Sequence, residues 1–180
     1  MGSTRQITIE HIVIASNQPY EKVLEGLESR LGSEEGWRKT EQRIQALAAA
    51  QAPWEQAAET IKRQLGTSDL TIFKTVEHTS LHSIAGKTSR AIQYVAGNPL
   101  LANQMSRLMP EVALYAPLRF VVYEDEAGNT FVAYDNFVSL LAQYQREEIT
   151  QVAQIVEQKL EALLAAVTRW RSILHTFGEG

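Results

Sequence analysis

The chain has 180 residues, with 17 Lys and Arg against 21 Asp and Glu, which gives a formal net charge of −4. This length suits one domain with a sizeable core, and 44% hydrophobic against 21% charged residues is typical of a folded chain. The acidic balance provides no electrostatic basis for binding nucleic acid, and the lack of cysteine excludes disulfides, thiolate metal sites and cysteine nucleophiles.

The first residues and the hydropathy of the chain bear on its location. Met1–Gln6 are polar and lack the apolar core of a signal peptide. No apolar stretch of the sequence approaches the roughly 20 residues that a membrane helix needs. We therefore expect a cytoplasmic protein with neither a membrane nor a nucleic acid among its partners.

The first predicted elements are a strand and a core-facing helix. Ile7–Ile14 carries apolar side chains on both faces of a strand. Pro19 suits the first turn of the helix that follows, and Gly32 suits its end. The apolar residues of this helix recur at helical spacing: Tyr20, Val23, Leu24, Leu27 and Leu31.

Two helical patterns fill Ser33–Gly66. The first, Trp37 to Ala50, is rich in Ala and Gln, and the second, Trp54 to Leu65, follows Pro53. We interpret the pair as an inserted helical hairpin packed on or beside the sheet. Because each pattern begins with a Trp, a lid or a dimer contact stays open as an alternative.

The rest of the chain alternates between strands and helices. Four strands are predicted from alternating or continuous apolar residues: Leu70–Glu77, Ala91–Ala96, Leu118–Glu124 and Thr130–Tyr134. A polar loop is expected over His78–Ser89. Helical spacing predicts a helix from Leu100 that Pro110 ends, and a last, long helix of about seven turns whose apolar stripe runs from Ile149 to Leu174.

This order of elements predicts an α+β fold. Five strands with short links indicate a mostly antiparallel sheet, and amphipathic helices need one of its faces to cover. We expect a single domain over residues 1–180, with a long C-terminal helix and the hairpin at residues 33–66 as its insertion.

Several motifs, taken in order, resemble the domain of unknown function 302 family. They are Phe73-Lys74-Thr75-Val76-Glu77-His78, Ala96-Gly97-Asn98-Pro99-Leu100-Leu101, Tyr115-Ala116-Pro117-Leu118 and Ala133-Tyr134-Asp135. The resemblance runs from about Leu70 to Leu164, and Ile9 to Leu31 fits the opening strand and helix of the family. It implies a TATA-box-binding-protein-like fold, a curved antiparallel sheet with helices on one side, and a homodimer. It implies no activity.

Two histidines are the candidate metal ligands. His78 and His82 stand four residues apart, which places them on one face if the segment is helical. Paired His side chains can bind zinc, and a lone His can ligate haem iron. Because a functional His needs an oriented partner, local hydrogen bonding of His78 at a strand end is the favoured interpretation.

A second candidate site is the turn at Gly97-Asn98-Pro99. Exposed amides at a helix N-terminus can hold an anion, but Asn98 as helix cap and Pro99 in the first helical position explain the same residues. Lys87 and Arg90 can neutralise an acidic ligand near His78, or can be solvated surface cations.

Four further residues complete the candidate ligand site. Met105 and Tyr115 can line an apolar pocket, although a core position explains Met105 equally well. Asp135 after Tyr134 can accept backbone hydrogen bonds in the turn that follows the strand. The sequence contains no phosphate loop, nucleophile elbow or metalloprotease motif.

Two hypotheses follow from these residues. The first is a non-enzymatic ligand-binding or protein-interaction domain that acts as a homodimer, with a small-molecule cleft near His78, Lys87 and Asn98. The alternative is a haem- or metal-bearing domain for redox or sensing, with His78 as the ligand. A third interpretation has the 33–66 hairpin dock a partner.

Overall fold

A five-stranded antiparallel sheet forms the centre of the computed structural model, which describes residues 2 and 4–170. The strands are β1 (His11–Ala15), β2 (Thr71–Glu77), β3 (Ala91–Gly97), β4 (Leu118–Glu124) and β5 (Thr130–Asp135). Their order across the sheet is β1-β5-β4-β3-β2, and each neighbouring pair is antiparallel. The predicted α+β class with an antiparallel sheet is confirmed.

Seven α-helices accompany the sheet within the described residues. They are α1 (Tyr20–Glu28), α2 (Glu34–Ala49), α3 (Trp54–Lys62), α4 (Thr79–Ile84), α5 (Pro99–Ser106), α6 (Phe137–Leu141) and α7 (Glu147–Thr168). The last of these is the long C-terminal helix that the sequence predicts, with 22 residues. No helix in this part of the chain is long and apolar enough to cross a membrane.

Three predicted boundaries differ from the structure. The first strand begins at His11 rather than Ile7, because its partner β5 ends at Asp135, the residue paired with His11. The segment expected to be a loop after His78 contains helix α4. The last helix ends at Thr168, and the predicted stripe position Leu174 lies outside the described residues.

The core lies between one face of the sheet and the helices. Alternate residues of β4, Leu118, Phe120 and Val122, are buried on this face, as are their cross-strand neighbours Tyr94, Val132 and Tyr134. Helix α7 covers them with a stripe of almost fully buried residues: Ile149, Ala153, Val156, Leu160, Leu163, Leu164 and Val167. Burial of this apolar surface is the main force that holds the helices to the sheet.

The chain protects the outer edge of β2 with residues that follow α1. The carbonyl of Gly32 accepts from the Ile72 amide at 2.8 Å, and the Glu34 carboxylate accepts from the amide and hydroxyl of Thr75, each at 2.8 Å. A side chain at Gly66 would lie 2.0 Å from the Arg30 carbonyl oxygen, so this position requires glycine. These contacts leave fewer free backbone groups for unwanted strand pairing at β2.

Candidate functional site

The residues of the predicted cleft lie at opposite ends of the sheet. His78 follows the last residue of β2, whereas Asn98 follows the last residue of β3, and the two strands are antiparallel. Six residue steps of strand separate the two ends, which is about 20 Å. The prediction that His78, Lys87 and Asn98 form one cleft is therefore wrong, because antiparallel pairing puts the ends of neighbouring strands on opposite sides.

The two histidines lie side by side at the first of these ends. Their ring centroids are 6.4 Å apart, and Nδ1 of His82 lies 3.0 Å from the Ser89 carbonyl oxygen. No group of three His, Asp or Glu side chains converges as a metal site within residues 4–170. The haem or metal role of His78 stays a prediction, which an absorption spectrum of the purified protein and of His78→Ala would test.

The charged side chains next to these histidines already have hydrogen-bond or ion-pair partners. The Glu77 carboxylate accepts hydrogen bonds from Thr79 and Ser80 at the start of α4, and these bonds lower its pKa to about 2. The ammonium group of Lys87 lies 3.5 Å from the Glu126 carboxylate, and both side chains are mostly exposed. This matches the interpretation of Lys87 as a solvated surface cation.

Arg90 is engaged by two carboxylates. It donates to both oxygens of Glu124, from Nε at 2.6 Å and from Nη2 at 2.8 Å, and also to Glu21. Its guanidinium lies 4.4 Å from the centroid of the Tyr20 ring. The carboxylate hydrogen bonds raise the pKa of Arg90 further above its ordinary value. These contacts join α1 to the end of the sheet, so the structure does not support Arg90 as a cation available to a ligand.

The other predicted site residues are distributed through the fold. Asn98 is buried and its side-chain oxygen accepts from the amides of Leu100 and Leu101, so the capping interpretation is confirmed. Met105 is 1% exposed in the core. Tyr115 is partly exposed and packs edge-on against Tyr144 at 6.5 Å.

The last pair of predicted site residues occupies opposite faces of β5. Tyr134 is buried under α7, and burial, with the nearby Glu157, raises its pKa. Asp135 is exposed, and its carboxylate lies 2.8 Å from Nδ1 of His11. A ligand cannot contact both side chains on one surface, since successive strand residues point to opposite faces.

The second face of the sheet provides a broader surface, which we call the open face. Its side chains alternate with the core residues and form rows across the strands. The middle row is Val13, Ala133, Val121, Gln93 and Val76, as the strand register shows. Val13 is 50% exposed, and Val121 and Val76 are partly exposed. This row is apolar except for Gln93.

The rows on either side of the middle row differ in chemistry. One contains His11, Asp135, Arg119, Val95 and Lys74, and so carries the charges of the open face. The other contains Ala15, Phe131, Tyr123 and Ala91, and the Phe131 and Tyr123 rings stack with centroids 5.4 Å apart. The open face is thus an apolar band between a charged row and an aromatic row.

Comparison with known proteins places this architecture in a family. The family model described as "Domain of unknown function DUF302" matches residues 45–167. The chain belongs to the DUF302 family. A crystal structure of an uncharacterized conserved DUF302 protein from Bacillus stearothermophilus has a TM-score of 0.58 to this DUF302 chain, at 14% sequence identity. The likeness covers 87% of this chain and 97% of that one, and at this identity it concerns the fold. No curated protein matches the chain.

The extent of the DUF302 match bears on the predicted insertion. The match begins inside α2 and includes all of α3. The interpretation of residues 33–66 as an inserted hairpin therefore stays a prediction, as does the likeness to the TATA-box-binding protein.

Sequence reasoning did not identify the open face of this DUF302 chain, although a signal was present. The segment Phe120-Val121-Val122-Tyr123 is apolar without interruption, whereas a strand with one solvated face shows strict alternation. A continuous apolar run of this kind is typical of a strand that is at least partly buried on both faces.

Proposed function

We propose that this DUF302 chain is an interaction domain rather than an enzyme, and that it acts as a homodimer through the open face. The observation that carries the proposal is the apolar middle row, flanked by the stacked pair of Phe131 and Tyr123. Contiguous apolar patches of several hundred Å² on a protein surface mark sites of interaction.

The size of the open face determines how tight such a dimer can be. Five strands at a spacing of about 4.8 Å, each about 20 Å long, give a face of roughly 500 Å². Specific interfaces bury about 600–1,000 Å² on each partner. The open face lies just below this range, so we expect a weak dimer that dissociates in the micromolar range.

The pattern of the rows favours a second copy as the occupant. Arg119 and Tyr123 lie two residues before and two residues after Val121 on β4. A two-fold axis at Val121, perpendicular to the strands, sets each Arg119 over Tyr123 of the other copy and Val121 against Val121. Guanidinium groups bind favourably to aromatic faces, and the charged row then meets an aromatic row rather than its own charges.

The experiment compares two charge insertions by sedimentation equilibrium across a concentration series. Val121→Glu buries a carboxylate at the centre of the proposed interface, whereas Ile84→Glu changes a residue of α4 that is 85% exposed. We expect the natural chain and Ile84→Glu to show twice the monomer mass of 20.2 kDa at high concentration. Val121→Glu should remain monomeric while keeping its helix and strand content.

Two outcomes would overturn this proposal. One is a natural chain that stays monomeric at 500 µM. The other is a Val121→Glu variant that dimerises as strongly as the natural chain. A chain ending at Trp170 serves as a further comparison: if it dimerises while the full chain does not, the chain's own last ten residues occupy the open face instead of a second copy.

A further inference from the structure

A groove of about 540 Å³ lies between α3 and α5, away from every residue of the open face. It is lined by Trp54, Ala58 and Lys62 of α3 and by Leu100, Asn103, Gln104 and Arg107 at α5. The residues of α3 are four positions apart, and those at α5 follow the i, i+3, i+4, i+7 pattern, which is the spacing of one helical face. Its volume lies within the range of sites for small molecules.

The charge of the groove is opposite to that of the whole chain. Its lining contains two cations, Lys62 and Arg107, and no carboxylate, whereas the chain has a net charge of −4. Within the described residues, neither cation has an ion-pair partner within 4.0 Å. Arg63, the next residue after Lys62, is bonded to Glu59 at 3.2 Å. The groove thus presents positive charge that the fold itself leaves uncompensated.

The groove also contains an aromatic surface. Trp54 is 53% exposed, which is unusual for the largest apolar side chain. The side chain of Asn98 donates to the carbonyl of Asp69, which joins the start of α5 to the loop that follows α3.

We propose that this groove binds an aromatic anion of mononucleotide size. The aromatic ring of the ligand stacks on Trp54, and its anionic group is bound by Arg107 and Lys62. The exposed amides of Asn103 and Gln104 also line the groove, and they offer donors and acceptors to the edge of a heterocyclic base. Stacking of a base on an aromatic side chain, combined with a nearby cation, is a recurrent basis of such binding.

The experiment is a calorimetric titration of the full chain with adenosine 5′-monophosphate as the probe. We expect binding with a dissociation constant below 1 mM. Trp54→Ala should weaken it at least fivefold, and Lys62→Gln and Arg107→Gln at least threefold each. Arg63→Gln is the matched control, because it removes an adjacent cation of α3 that already has a partner, and it should change the affinity less than twofold.

Three comparison ligands distinguish a nucleotide site from a general anion site and from a peptide site. Adenosine and inorganic phosphate should each bind at least tenfold more weakly than the nucleotide. Binding of phosphate alone with equal affinity would show a general anion site and overturn the proposal, and so would tighter binding of a Glu-rich peptide. Nucleotide binding that Trp54→Ala leaves unchanged would also overturn the proposal. The Val121→Glu variant should bind the nucleotide normally, so failure of the dimer and failure of this site are distinguishable.

Discussion

Replacing Arg90 should destabilise the fold more than replacing any other exposed or half-exposed cation in the described part of the chain. Arg90 is one-third exposed and its principal partner, Glu124, is 15% exposed, so this ion pair is partly shielded from water. The second partner, Glu21, is 59% exposed. Because screening by solvent weakens exposed pairs, Glu124 should account for most of the effect.

The magnitude follows from the contacts that Arg90→Met removes. The methionine keeps an apolar side chain over Tyr20 but loses the two hydrogen bonds to Glu124, which together contribute about 1.5–3 kcal/mol as a charge-assisted pair. Loss of the cation–π contact adds about 0.5–1 kcal/mol. The pair with Glu21 adds little to this sum, because solvent screens an exposed carboxylate. We expect a total loss of about 2–4 kcal/mol in the free energy of unfolding.

Two double-mutant cycles in urea unfolding test this reasoning. Arg90→Met combined with Glu124→Gln should give a coupling energy of about 1.5 kcal/mol or more, whereas Arg90→Met combined with Glu21→Gln should give a clearly smaller coupling energy. Addition of 0.5 M salt should reduce the second coupling more than the first. Equal couplings, or a loss below about 0.5 kcal/mol for Arg90→Met alone, would refute the argument.

Four further changes test the core and the loop contacts by urea unfolding. Gly66→Ala should cost at least about 2 kcal/mol, since its Cβ would meet the Arg30 carbonyl oxygen; a neutral result contradicts the contact. Leu160→Ala should cost about 2–5 kcal/mol, and Ile155→Ala, on the exposed side of α7, less than about 1 kcal/mol. Burial raises the pKa of Glu157, so the natural fold loses stability as the pH rises from the unfolded pKa through the folded one. Glu157→Gln should therefore be more stable than the natural chain at pH 7, with the difference vanishing below about pH 4.

Much of the fold can be predicted because its apolar periodicity is strong. The buried residues of β4 alternate, and the stripe of α7 continues from Ile149 to Val167, so the sequence predicts both elements within a few residues of their bounds. The sequence does not predict helix α4, because the start of this helix depends on hydrogen bonds to a single carboxylate. Glu77 accepts from Thr79 and Ser80 there, and the two large apolar residues of α4, Leu81 and Ile84, are too few to form a helical stripe in the sequence and are exposed in the structure.

The candidate site is predicted less well because polar residues carry no periodic signal of their position. His78 and Asn98 each follow the last residue of a strand, and these two strands are antiparallel neighbours. The two residues therefore lie at opposite ends of the strands, which excludes a shared cleft. The sequence analysis considers Arg90 as a cation for a ligand near His78, and in the structure the amide of His78 donates to the carbonyl of Ala91, the residue after Arg90. The pairing of Arg90 with Glu124 requires the register of β3 on β4, which depends on tertiary packing.

The same register explains why the two proposed surfaces can be tested separately. The open face consists of strand residues whose neighbours in the chain are in the core, so Val121→Glu leaves Phe120 and Val122 in their buried positions. The groove at Trp54 and Arg107 consists of helix residues outside the sheet, and Lys62→Gln changes no buried contact. A variant with both changes should lose dimerisation and bind the nucleotide at least threefold more weakly, while it unfolds at nearly the natural urea concentration. A joint loss from either change alone would mean that the two surfaces are coupled through the helices, and that dimerisation orders the groove.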